Sequence, residues 1–157
     1  GQNHALFTDH KLHNTGLGFA RSMGIDPFKN KLQVAPGVFI KVSQNLFDSL
    51  PRESVNDLGF YEVTQNPQDR WKYKTPTLRN ITLTPPYMHD GSIGDLKTVI
   101  EFYNKGGIQN ENLDPLIRPL GLSKNEKDNL LEFLKTLEGD NVEQLISDAF
   151  SQTIGER

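Results

Sequence analysis

Apolar residues are clustered rather than periodic as far as Ser92, and recur at three and four after it. Up to about Pro51, short runs such as "ALF", "LGFA" and "VAPGVFIKV" are divided by turn formers. The β-branched residues of the last run predict a brief strand, and none of the three keeps helical spacing. "PRESVNDLGFYEV" has room for a short helical turn, and "QNPQDRW" predicts a turn leading into "KTPTLRNITLTPPYMHDGS". That stretch, Lys74 to Ser92, has almost no amphipathic period.

Leu96, Val99, Ile100 and Tyr103 fall at i, i+3, i+4 and i+7, which predicts one face of a helix stopped by Gly106 and Gly107. Ser92 and Asp95 resemble a capping box at its start. After the loop "GIQNENLDPLIRPLG", Ser123 and Glu126 form a second box ahead of a Leu130, Leu134 and Leu137 stripe that runs up to Gly139. A third helix is expected from Asn141, with Val142, Leu145, Ile146, Ala149 and Phe150 on one side, followed by a tail at about 151–157. The pattern predicts a mainly α fold, one domain over 1–157, with few helices and long ordered loops. Loops of this length need a reason to be ordered, and a bound cofactor or metal is a common one.

Composition changes the picture in three respects. The 157 residues suit one domain, and 9 prolines with 13 glycines fit a loop-rich one. A net charge of −3 with scattered lysines gives no basic stripe, so nucleic acid is not an expected partner. No apolar run reaches the roughly 18 residues of a membrane span, and "GQNHALFTDH" lacks the regions of a signal peptide, so a soluble, already processed chain is expected. There is no cysteine. Disulfides, a thiolate zinc site and covalent haem attachment are therefore excluded within these residues.

The candidate chemistry is sparse. His4, His10, His13 and His89 are the histidines. The first three lie where helix signals are weak, which favours structural or exposed roles over zinc, whereas His89 stands two residues before Gly91. No nucleophile elbow or phosphate loop is present. Lys74 and Arg79 lie among residues that hold the backbone extended, so they either bind carboxylates or form a solvated pair. The backbone carbonyls around Thr84, Pro85 and Pro86 lack a ladder, and so either meet water or ligate a hard cation such as calcium. Tyr103, on the apolar helix face, is expected to point inward and to bond a backbone group.

The ordered set "FTDHKLHNTG", "VAPGVF", "NDLGFYEVTQNPQDRWKYKTP", "YKTPTLRNITLTPPYMHDGSIGDLKTVIEFYNKGG" and "LDPLIRPLGLSKNEKDNLLEFLKTLEG" resembles the C-terminal haem domain of the bacterial di-haem cytochrome c peroxidase family, particularly its MauG-like branch. The resemblance covers nearly the whole chain. It implies a cytochrome c-like domain of a two-domain protein, whose N-terminal haem domain and own Cys-x-x-Cys-His attachment motif lie upstream of Gly1. It also implies haem c and calcium as cofactors and a periplasmic location.

Residue by residue, the resemblance places Tyr103 of "EFYNKGG" at the distal iron-ligand position, which is methionine in the classical peroxidases and tyrosine in the MauG-like branch. A phenolate favours oxidised iron more than a thioether does. Thr84 and Pro86 match carbonyl ligands of calcium. Lys74 and Arg79 are candidates for propionate partners. His89 matches a histidine near the haem, and Met88 beside it is read as packing rather than as a ligand. The resemblance further implies electron transfer from a donor protein through this domain to a second haem where hydrogen peroxide is reduced. In the MauG-like case, residues of a partner protein are oxidised. The alternatives are a haem-free structural fragment with no activity and a calcium-binding interaction module.

Overall fold

The computed structural model describes residues 7–25, 31–35, 38–41 and 57–139, together with Val142 and Ser147. His4, the expected tail and most of the third expected helix lie outside the described residues; Val142 and Ser147 are themselves helical. In chain order the elements are β1 (Leu12–His13), α1 (Leu17–Ser22), β2 (Lys31–Ala35), β3 (Val38–Lys41), α2 (Tyr61–Thr64), β4 (Tyr73–Lys74), α3 (Leu96–Asn104) and α4 (Lys124–Lys135). Single 3-10 turns span Pro67–Asp69 and Ile81–Leu83. Two antiparallel pairs, β1 with β4 and β2 with β3, are the sheets among the described residues. The architecture is a few helices joined by long irregular segments, with these two short ladders added.

Several expectations are modified. α1 forms in a run with no sustained helical spacing, because Leu17 and Ala20 are both buried and tertiary packing supplies what periodicity does not. The strand expected in "VAPGVFIKV" is present as β3, and the first two residues of that run, Val34 and Ala35, end the β2 strand that pairs with it. The cap of α3 is Asp95, whose side chain accepts from the Thr98 amide, and not Ser92. Ser92 lies within the turn closed by the Tyr87–Ile93 bridge, ahead of the helix start. Ser92 Oγ is instead buried without a hydrogen-bond partner. The second box is complete: Ser123 accepts from the Glu126 amide and Glu126 from the Ser123 amide.

Two apolar clusters hold these elements. Leu96 and Ile100 of α3 pack with Leu134 and Leu137, supported by Leu78, Ile81 and Leu131. Leu17, Ile93 and Phe102 form the second, with Met88, Val99 and Ile108 against it. Tyr87 touches both, and its hydroxyl donates to the Ile81 carbonyl at 3.0 Å. Each buried aliphatic or aromatic side chain contributes roughly 1.5–3 kcal/mol of transfer free energy. Leu130, expected on the α4 stripe, is exposed, and Leu131 turns inward in its place.

Asn14 is the polar counterpart of these clusters. It is 0% exposed and sits where three segments cross. Its amide donates to Asn110 Oδ1 and the Asn112 carbonyl, both at 2.9 Å, while its Oδ1 accepts from the Gly16 amide at 2.8 Å. The crossing is tight enough to require glycine. A Cβ on Gly16 (φ 87°) would lie 2.0 Å from the Ile108 carbonyl oxygen, and one on Gly107 would lie 2.4 Å from that of Thr15.

Candidate functional site

Tyr103 sits on the last turn of α3, three residues after Ile100 and four after Val99, so it belongs to the inward stripe. Ile100 packs on one apolar cluster and Val99 on the other. Tyr103 itself joins neither cluster and is 36% exposed, so the inward position expected from spacing is left open to the surface. The expected backbone bond is also absent: among the described residues the phenol has no hydrogen-bond partner. Burial pushes its pKa up, although part of the residue's surface is open. Its neighbour Phe102 takes the core place instead, 7% exposed, and meets the Tyr103 ring edge to face at 5.4 Å.

The other candidates are dispersed. Phe7 and Phe133 of α4 are both exposed and meet edge to face at 6.0 Å, with the Arg79 guanidinium 5.4 Å over the Phe7 ring. Lys74 is exposed on β4, opposite Leu12. Met88 has φ 72° and packs its side chain against the Leu17, Ile93 and Phe102 cluster. Pro86 follows a cis Pro85–Pro86 bond, and Thr84 directly precedes Pro85. Neither of their carbonyls accepts a backbone hydrogen bond among the described residues.

His89 is drawn into a group that sequence reasoning missed. Its ring stacks on Tyr73 at 3.5 Å and 13°, and only 16% of its side chain is exposed. Burial pushes its pKa down, against the pull of Asp90 and Asp57. The ring is accordingly neutral at pH 7, and 3.8 Å to Asp57 Oδ2 is too long for a hydrogen bond. Asp90 is paired with Arg21 at 3.4 Å, and the Tyr73 hydroxyl donates to the Asp57 carbonyl at 3.3 Å. These partners come from four separate segments with no shared spacing, so no local sequence signal announces them.

Tyr103 offers a phenolic oxygen, a donor suited to ferric iron, with no hydrogen-bond partner among the described residues, whereas Met88 packs on the Leu17, Ile93 and Phe102 cluster and the His89 ring stacks on Tyr73. Among the described residues no group of three or more His, Cys, Asp or Glu could hold a metal, so a hard cation here would rely on carbonyls.

No family model matches the chain. It is 35% identical over 141 residues to a cytochrome-c peroxidase, IdrP2, of Denitromonas iodatirespirans, covering 88% of this chain and 35% of the relative. It is 39% identical over 102 residues to the methylamine utilization protein MauG of Methylorubrum extorquens, covering 64% of this chain and 29% of that protein. The crystal structure of a MauG-like protein associated with microbial copper homeostasis superposes with a TM-score of 0.58 at 31% identity, over 83% of this chain and 33% of that one. The chain belongs to the di-haem cytochrome c peroxidase/MauG family. That family is one of oxidoreductases, and its cytochrome c character implies haem c. This member spans about a third of the length of the two Denitromonas iodatirespirans cytochrome-c peroxidases it matches, 35% of each. Among its described residues no helix is long and apolar enough to cross a membrane.

Proposed function

We propose that this chain is the C-terminal, electron-transfer haem domain of a di-haem oxidoreductase that reduces hydrogen peroxide, with Tyr103 as the distal iron ligand. The observation that carries the reading is the unpartnered phenol of Tyr103, desolvated yet still open on the stripe of Val99 and Ile100. A bound haem supplies one-electron redox chemistry. Tyr103 would hold the iron through its phenolic oxygen, and because burial disfavours the phenolate, its ionisation would depend on the charge of a ferric ion. Arg79 and Lys74 serve as cationic partners for propionates. The thioether cysteines come from outside these 157 residues, which contain none.

In the whole protein, electrons arrive from a donor protein, pass through this domain and reach a second haem domain where peroxide is reduced. The carbonyls of Thr84 and Pro86 hold calcium together with ligands from that other domain. The protein works in the periplasm, where c-type haem is attached. A second reading, oxidation of residues on a partner protein, is favoured by tyrosine rather than methionine at position 103 and by the likeness to proteins named MauG.

The test is Tyr103→Phe in the full-length, haem-loaded protein. Loss of the oxygen ligand is expected to change the ferric absorption spectrum of one haem and to raise its midpoint potential, and Tyr103→Met is expected to raise the potential as well. Unchanged spectra and potential in both variants would return Tyr103 to packing. Absence of any Soret band from the purified protein would instead leave a haem-free structural domain.

A further inference from the structure

Away from Tyr103, His13 stands between two carboxylates. Its Nδ1 is 2.6 Å from Asp114 Oδ2 and its Nε2 is 2.8 Å from Asp9 Oδ2. Both carboxylates are engaged as acceptors by other donors as well: the Lys11 amide reaches Asp9 Oδ1 at 3.0 Å, and the Leu116 amide reaches Asp114 Oδ1 at 2.9 Å. A neutral imidazole has one N–H and one lone pair, and an ionised carboxylate only accepts. Two short contacts on opposite ring nitrogens therefore require N–H on both, which is the imidazolium.

We infer that His13 is a protonation-gated clamp that as imidazolium pins the Asp9 turn and the Asp114 loop together, and that must release one of them when it loses a proton. The inference stands on hydrogen-bond geometry and is independent of the haem reading. The released side is Asp9. Its contact is the longer of the two, and its side chain is 43% exposed against 15% for Asp114, so water replaces His13 there at least cost. The Asp114 loop is also held by bonds that do not titrate, Asp114 N–H to the Asn14 carbonyl at 3.0 Å and Ile108 N–H to the Thr15 carbonyl at 3.1 Å.

The surrounding charges agree. Asp114 and then Asp9 pull the His13 pKa up, against burial. Burial works upward on Asp114, but the Leu116 amide and His13 overcome it and hold this carboxyl below its ordinary range, with Lys72 assisting. Lys72 itself is bonded to Asp69 at 3.0 Å. Tyr73, opposite His13 in the β1–β4 register, directs its hydroxyl to Asp57. Segment 7–11 has other ties, Thr8 Oγ1 to the Thr75 carbonyl and the Thr75 amide to the Lys11 carbonyl, both at 2.9 Å, so release loosens the turn without detaching it.

The experiment is a joint pH titration, in the full-length protein, of the His13 ring by NMR and of amide hydrogen exchange in residues 8–13 and 113–117. Loss of a charge-assisted hydrogen bond predicts that exchange at Lys11, corrected for its intrinsic pH dependence, accelerates about tenfold as His13 deprotonates. Protection in 113–117 is expected to hold. The step is expected to be absent from His13→Gln and shifted to lower pH in Asp9→Asn, which also serves if His13→Gln does not fold. The clamp is overturned if the ring is neutral at about pH 6, below its ordinary pKa. A flat profile at Lys11, release of 113–117 instead, or the same step in His13→Gln would overturn it equally.

Discussion

Phe102 and Tyr103 are consecutive on α3 and their rings meet at 5.4 Å, yet the first is 7% exposed and the second 36%. The difference lies in what each faces. Phe102 enters the cluster of Leu17 and Ile93, and Tyr103 joins neither cluster. Tyr103→Phe is accordingly expected to leave folding stability within about 0.5 kcal/mol, since no hydrogen bond is lost. Tyr87→Phe is the contrast. It removes the 3.0 Å bond to the Ile81 carbonyl and is expected to cost about 1 kcal/mol. Chemical denaturation of both variants checks the pair, and equal losses would show that the Tyr103 hydroxyl is not unpartnered.

Asn14→Ala is expected to be far more damaging. It leaves acceptors on Asn110 and Asn112 and the Gly16 amide without their partner at a fully buried crossing. A loss of about 3 kcal/mol or more follows from several buried unsatisfied groups. Thermal unfolding measures it, and a shift no larger than that of a surface alanine would show that the crossing does not depend on this side chain.

The two described and perturbed histidines tilt stability in opposite directions with pH. His13 is raised in the folded state, so its contribution is complete below the unfolded value of about 6.5 and is lost as pH rises through the folded one. His89 is depressed by burial. The unfolded chain protonates it below about 6.5 while the folded chain resists, so stability falls from there down to the folded value. Denaturant midpoints across pH are expected to lose their alkaline slope in His13→Gln and their slope below neutrality in His89→Gln.

The helix starts give a further test. Ser123→Ala breaks a complete box, and Asp95→Ala removes the cap that α3 actually uses. Each is expected to cost about 1 kcal/mol. Ser92→Ala removes a buried hydroxyl that has no partner and is expected to be neutral or stabilising. If Ser92→Ala cost as much as Asp95→Ala, Ser92 would be the cap after all.

The sequence by itself determined the features that depend on neighbours along the chain. The spacing of Leu96 and Ile100, the glycine stop after α3, the Ser123–Glu126 box and the β-branched strand at Val38–Lys41 are local, because helix and strand periods and caps are written within a few residues. The family was legible as well, through an ordered series of motifs. Tertiary structure alone decided which inward position stays open and which carboxylates meet His13. Spacing puts Tyr103 and not Phe102 on the apolar face, and only the packing of the clusters buries Phe102 and leaves Tyr103 open. Asp114 lies 101 residues from His13, and Tyr73 meets His89 only because β4 and the Met88 turn converge. Such contacts arise from chain crossings, whose specificity resides in shape and close approach at Asn14, Gly16 and Gly107 and leaves no periodic trace in the sequence.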